Sequence, residues 1–167
     1  MIEGKRYCLD TSGISNPLES MPEDIPMYQP IWSHVRTQIV NGVFAVNQEI
    51  YDELCYLPGN IGTCLNGNKN KLVLEVGEAW NWQTYLATVE DMRVRYKSVI
   101  SEYNNNRRGT VGLNDVAIVA LAKTLKLPLI NMEAKSFQTS ATKIRIPGLC
   151  ILEGVEPLEF NDFLTRG

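Results

Sequence analysis

The sequence predicts an α/β fold built around a mainly parallel sheet. Three observations carry that expectation. Short apolar runs, Tyr7-Cys8-Leu9, Val43–Val46 and Leu127–Ile130, read as buried strands. Between them lie stretches with helical spacing, and strands alternating with helices make βαβ units. Each run also stops near a polar or acidic residue: Asp10, Asn47 ahead of Glu53, and Asn131 ahead of Glu133. In open parallel sheets, ligands collect outside the carboxyl ends of the strands.

The first strand, Tyr7–Leu9, delivers Asp10 to a hydroxyl turn, Thr11-Ser12. A Pro-rich approach follows over Asn16–Pro30, with Pro17, Pro22, Pro26 and Pro30. A helix is expected over Ile31–Val40, where Ile31, Val35 and Ile39 share one face, and Asn41-Gly42 closes it. After the second strand, Gln48–Leu57 reads as helix and Pro58-Gly59-Asn60 stops it. Residues 58–71, rich in Gly and Asn, read as a surface loop. A long helical stretch is expected from about Glu78 to Tyr103. Its stripe is Trp82, Leu86, Val89, Met92, Tyr96, Val99 and Tyr103, the pattern of a core seam.

Asn114 is placed to cap a helix over Asp115–Lys126, whose first turn favours the Asp115 charge. Lys143–Ile146 and Leu149–Leu152 read as late strands split by Pro147-Gly148, and Pro157–Thr165 as a terminal helix. The expected organisation is one domain over 1–167, with the loop and long helical insertion at 58–111.

Composition narrows the function classes. A chain of 167 residues can bury an ample core without staples. No apolar stretch reaches membrane-spanning length and no signal-peptide pattern opens the chain, so a cytoplasmic protein is expected. Cys8, Cys55, Cys64 and Cys150 form no C-x-x-C pair, which argues against structural zinc or a disulfide framework. His34 is the only histidine, so His-based acid–base chemistry is disfavoured. The net charge of −3 gives no global pull on nucleic acid.

The chemistry therefore falls to the acids. Asp10, Glu53, Asp115 and Glu133 all lie close to the ends of apolar elements. Carboxylates converging on one sheet edge cannot all stay ionised without a cation. Oxygen ligands of this kind suit Mg²⁺ or Mn²⁺, which polarise phosphate oxygens and acidify a bound water. Glu49 and Asp52 compete with Glu53 for the helix position. Thr11, Ser12 and Asn131 are placed to hydrogen-bond a ligand or water. Asp115 has a second reading as a plain helix-start residue.

The ordered set Tyr7–Ser12, Asn47 to Leu54, Asn114–Ala122 and Pro128–Glu133 resembles the PIN-domain family over nearly the whole chain. The run Lys143–Cys150 is similar to one uncharacterised PIN-like subgroup. The resemblance implies a three-layer PIN-like fold, a central mainly parallel sheet flanked by helices. It also implies a Mg²⁺- or Mn²⁺-dependent ribonuclease. Many bacterial members are VapC-like toxins, held inactive by a cognate antitoxin and usually dimeric. By position, Asp10 matches the first metal-binding acid, Glu53 the helix acid, Asp115 the third and Glu133 the fourth. Metal would fall to Asp10, Asp115 and Glu133, with Ser12 completing the site. Two departures stand out: Glu replaces the more usual Asp at 133, and the insertion between 54 and 112 is longer than in compact PIN toxins.

RNA contacts are expected at Arg107 and Arg108, in the loop before the third acid, and at Arg93 and Arg95, beside Lys97. A solvated helix face is the plainer reading of Arg93–Lys97. Lys143 and Arg145 serve either RNA or an edge strand. Two other functions compete: a phosphatase-like hydrolase with Asp10 as nucleophile, and a non-catalytic PIN-like scaffold or RNA-binding protein. The first lacks the second Asp of an Asp-x-Asp pair, since residue 12 is Ser.

Overall fold

The computed structural model describes residues 4–133 and 143–166. Its centre is a four-stranded, wholly parallel sheet. The strands are β1 (Tyr7–Leu9), β2 (Phe44–Ala45), β3 (Leu129–Ile130) and β4 (Pro157–Leu158), in the order β2-β1-β3-β4. Around it lie α1 (Ser12–Ser20), α2 (Gln29–Val40), α3 (Gln48–Leu54), α4 (Gly59–Gly67), α5 (Lys69–Leu72), α6 (Trp82–Arg95), α7 (Leu113–Leu125), α8 (Ile146–Glu153) and α9 (Phe160–Arg166). The fold is therefore α/β, as the alternation of elements predicts. No helix among the described residues is long and apolar enough to cross a membrane.

One sheet face is aromatic. Tyr7 and Phe44 stand opposite each other in register and both meet Phe163 of α9, with ring centroids 5.5 and 5.4 Å away. Trp32 of α2 is fully buried against Phe160, at 5.5 Å. Single-residue alternation sends Cys8 to the other face. There α7 packs on β1 and is itself flanked by α6 and α8. Val116 to Ala122 of α7 are all buried, so this helix is apolar nearly all round. His34 lays its ring near Phe163, 5.8 Å between centroids, and plays no part at the sheet edge.

Several elements differ from expectation. The Pro-rich approach begins with a helix, α1, which holds Pro17 inside it. Residues 58–71 are α4 and α5 rather than a loop. Their apolar residues, Ile61, Leu65 and Leu72, are fully buried, but Gly and Asn between them hide the period. Gly62 is required there: a Cβ would stand 1.8 Å from the Leu57 carbonyl oxygen. The long helix ends at Arg95, and two 3₁₀ turns, Lys97–Val99 and Ser101–Tyr103, take the chain on. Tyr85 and Met92 are its buried residues and Val99 is buried in the first 3₁₀ turn, while Leu86 is exposed.

The segment 146–153 is one helix, not two strands. Its residues Ile146 to Cys150 are all buried, so no alternation marks it, and Pro147 sits in the first turn, where proline is tolerated. Residues 157–165 split into β4 and α9. A two-residue edge strand beginning in proline leaves almost no pattern to read. Helix α7 starts two residues early, with Gly112 rather than Asn114 at its N-cap.

Candidate active site at the carboxyl edge of the sheet

The strand register sets one polar residue just past each strand. Cys8 pairs with Ala45, so two residues on, Asp10 comes beside Asn47. Leu9 pairs with Ile130 and Ile130 with Leu158, so Asn131 follows beside Asp10, and Glu159 beside Asn131. The ladder continues that far: Asp10 N–H donates to Ile130 O and Asn131 N–H to Leu158 O, both at 2.9 Å. A row Asn47, Asp10, Asn131, Glu159 thus crosses the edge where parallel sheets bind ligands.

Asn47 is committed to structure. Its Oδ1 accepts from Ile50 N–H at 3.1 Å, capping α3, and its Nδ2 donates to the Tyr85 hydroxyl at 3.2 Å. Asp10 is only 5% exposed. Its Oδ2 accepts from the Ser12 hydroxyl at 2.6 Å and the Ser12 N–H at 3.1 Å. The same hydroxyl accepts from Met132 N–H at 3.0 Å, so Ser12 bridges the ends of β1 and β3. The next residue is glycine because a Cβ at 13 would stand 2.9 Å from the Ile130 carbonyl oxygen.

Glu53 lies in the last turn of α3 and is exposed. Its Oε1 accepts from the Thr11 hydroxyl at 2.6 Å, which brings it to the turn after β1. Asp52 instead takes Gln48 Nε2 at 2.7 Å along its own helix. Asp115 holds the amino end of α7, where its Oδ2 accepts from Gly112 N–H at 2.9 Å. The helix-start reading of Asp115 is therefore correct. It does not exclude the other, since the second oxygen makes no hydrogen bond among the described residues. Glu133 reaches the amino end of α8, its Oε2 accepting from Ile146 N–H at 3.1 Å.

Asp10 and Asp115 feel the acids around them. Burial raises the Asp10 pKa, the Ser12 hydroxyl and amide oppose this, and the charges of Glu133 and Glu53 add to it. Burial also pushes Asp115 up to about 7, with the Gly112 amide opposing and Asp10, Glu133 and Glu53 adding. The Cys150 thiol below them rises to about 12, through burial and then the Asp10 charge. Neither Asp10 nor Asp115 has a lysine or arginine partner among the described residues.

The donors at this edge share one chemistry. All are oxygens, as Mg²⁺ and Mn²⁺ prefer. Asn131 is 3% exposed, and its Oδ1 has no hydrogen-bond partner among the described residues. Such an orphaned acceptor calls for a cation, a water or a donor from a ligand. Asn131 also lines a small cavity of about 90 Å³ with Glu133, Glu159 and Asp162. That is room for about three waters. Among the described residues, no three His, Cys, Asp or Glu side chains stand close enough to enclose an ion by themselves. The donors fit an ion that keeps part of its water shell.

Two residues at the edge were not legible in the sequence. Glu102, in the turn Ser101–Tyr103, accepts from Leu113 N–H at 2.9 Å, adding a carboxylate at the amino end of α7. Glu159 enters through the unforeseen strand β4. An acid directly after an apolar pair, Pro157-Leu158-Glu159, was the available signal.

The basic residues divide. Arg93 donates two hydrogen bonds to Glu90 and lies near Tyr103. Arg95 is bound to Asp91 and Glu153. Arg93 fits the solvated-face reading, while Arg95 also reaches the buried Glu153 and ties α6 to α8. Arg107 and Arg108 are exposed in their loop. That loop is tied to the segment before α8, since Ile144 N–H donates to Gly109 O at 2.6 Å. Lys143 and Arg145 precede a helix, so no edge strand is theirs to protect.

Comparison with models of known protein families gives no match, and comparison with curated proteins gives none.

Proposed function

We propose that the chain is a metal-dependent endoribonuclease working at the carboxyl edge of its sheet. The observation that carries this reading is the pair of buried acids, Asp10 and Asp115. Burial and neighbouring carboxylates hold both toward the protonated form, with no basic partner among the described residues. Such a site gains most from a bound cation. A divalent ion, when bound, supplies charge for a phosphate oxygen and a more acidic attacking water. Asp10, Asp115 and Glu133 are the residues that would hold it.

The rest belongs to the chain. Ser12 fixes the Asp10 carboxylate through two hydrogen bonds. Glu53, held by Thr11, is exposed and free to take a proton from water. Asn131 offers Oδ1 to a donor. Arg107 and Arg108 guide the phosphate backbone. The toxin role, a cognate antitoxin and a homodimer follow from the resemblance to PIN-domain toxins and form part of the same proposal.

A non-catalytic PIN-like scaffold is the second reading. The observation favouring it is that no three acids of the described residues close on a common point. Cleavage of a mixed RNA pool decides between them, with Mn²⁺ or Mg²⁺ and then with chelator. Metal-dependent cleavage that disappears in Asp10→Asn supports the nuclease. A folded wild type that neither cleaves nor binds Mn²⁺ leaves the scaffold.

A further inference from the structure

The opposite edge of the sheet holds a different kind of cavity. It measures about 480 Å³ and is lined by Lys5, Trp80, Asn81, Thr124, Lys126 and Leu127 among others. Lys5 leads into β1, and Leu127 leads into β3, so the cavity lies at the amino edge. Helix α7 spans the distance between the two edges, with Asp115 at one end and Leu125 at the other. Ten residue steps set Asp115 and Leu125 about 15 Å apart along the helix axis. The volume is in the range of small-molecule sites.

Among the described residues the lining contains lysines and no Asp or Glu. Lys5 is half-buried and donates to the Phe44 carbonyl at 2.6 Å and the Lys71 carbonyl at 2.5 Å. An ammonium has three donors, so one N–H remains. No carboxylate pairs with Lys5 among the described residues, and burial lowers its pKa to about 8, with the nearby Lys71 adding to the shift. Lys126 is exposed, in a left-handed conformation at φ 58°, which points the end of α7 back toward β3. The two ammonium groups want an anion.

Trp80 supplies the other half. Its indole N–H is used by the Glu75 carbonyl at 2.7 Å, and one neighbour of its ring is Tyr85 at 5.5 Å. What it has to offer a ligand is a flat apolar face. Asn81 is exposed beside it, with an amide able to donate and accept. We infer that this cavity binds a nucleoside monophosphate, with the base against Trp80 and the phosphate between Lys5 and Lys126. The inference does not depend on the nuclease reading.

Lys126→Gly is the sharp variant. It removes one cation and places at φ 58° the residue that best tolerates it, so folding is not at risk. Titration calorimetry in chelator, with adenosine 5′-monophosphate as probe, is the test. Saturable binding by wild type is expected. Lys126→Gly should weaken it at least tenfold while keeping or raising the melting temperature, and Asp10→Asn should leave it unchanged. Adenosine alone and inorganic phosphate alone should each bind at least tenfold more weakly. A 5′-phosphorylated oligoribonucleotide that binds no tighter marks the free nucleotide as the ligand; one that binds at least tenfold tighter overturns that in favour of an RNA end. Absence of saturable binding up to millimolar nucleotide, undiminished binding in Lys126→Gly, or loss of binding in a folded Asp10→Asn would each overturn the inference.

Discussion

Two places in this molecule bury carboxylates, and they treat them oppositely. At the carboxyl edge, Asp10 and Asp115 lie among other acids and are pushed toward protonation. Behind α7, Glu153 is equally hidden, its side chain 2% exposed. Burial alone would raise its pKa. Hydrogen bonds from Arg95, Tyr96 and Lys123 outweigh that and bring it down to about 2. Arg95 grips both oxygens at 2.9 Å, and Lys123 Nζ adds a third bond at 2.9 Å. Glu153 thereby joins α6, α7 and α8, all through one charge. A carboxylate supplied with cations by the chain is architecture. A carboxylate left without them is where the proposed function puts a cation from outside.

The largest effect that tests this contrast is on activity. Asp10→Asn should lower RNA cleavage by about 100-fold or more, the scale expected when a metal-holding acid loses its charge. Its thermal midpoint should hold or rise, because repulsion is relieved. Cleavage assays beside thermal melts check both; an unfolded variant would make Asp10 structural.

Next comes pH. Asp115 has a folded-state pKa of about 7 against an ordinary value of 3.8. Below pH 3.8 both states hold the proton and its contribution is fully present. As pH rises from 3.8 to about 7 the unfolded chain releases the proton while the native state still holds it, and stability is lost. That swing is about 2–4 kcal/mol for a group largely withdrawn from water. Denaturant melts of metal-free protein should therefore show a steeper decline from pH 4 to 7 in wild type than in Asp115→Asn. Equal slopes would remove Asp115 from the cluster. Added Mn²⁺ should flatten the wild-type profile.

At Glu153 the sign reverses. Glu153→Gln should cost about 2–3 kcal/mol at neutral pH, since it leaves two cations around a neutral amide. The depressed pKa makes this contribution complete above pH 4.5 and lost as pH falls through about 2. Wild type and variant should converge in strong acid. The smallest effect is Lys123→Met, about 0.5–1 kcal/mol. The Lys123 side chain is 43% exposed, so solvent already screens its bond to Glu153.

The contrast also explains what the sequence could show. Asp10, Asp115 and Glu133 each follow a strand or open a helix, and position alone flagged them. Thr11 and Ser12 were legible as the hydroxyl turn beside Asp10. Glu153 gave no such sign, because its partners Arg95 and Lys123 lie 58 and 30 residues away. The bond from Arg95 to Glu153 was hidden for the same reason, whereas Glu90 and Asp91, three and four residues before Arg93 and Arg95, were already in view and favoured the solvated face. Helix α8 escaped because its residues Ile146 to Cys150 are all buried and the exposed Ile151 and Leu152 are apolar too, which leaves the same unbroken apolar run as a strand. Helices α4 and α5 escaped because Gly and Asn set a loop composition on a buried Ile61–Leu65 face. Strand β4, with only Pro157 and Leu158, shows its role solely through register with β3.

The strands are short. β1 has three residues, and β2, β3 and β4 have two each. Few backbone amides are thus locked in the ladder, while α7 hides a run from Val116 to Ala122 in one piece. When the protein is placed in heavy water, the last protons to leave should be those of this helix. The sheet, though it aligns the site, would then report only local openings, and the helix would report the unfolding of the whole.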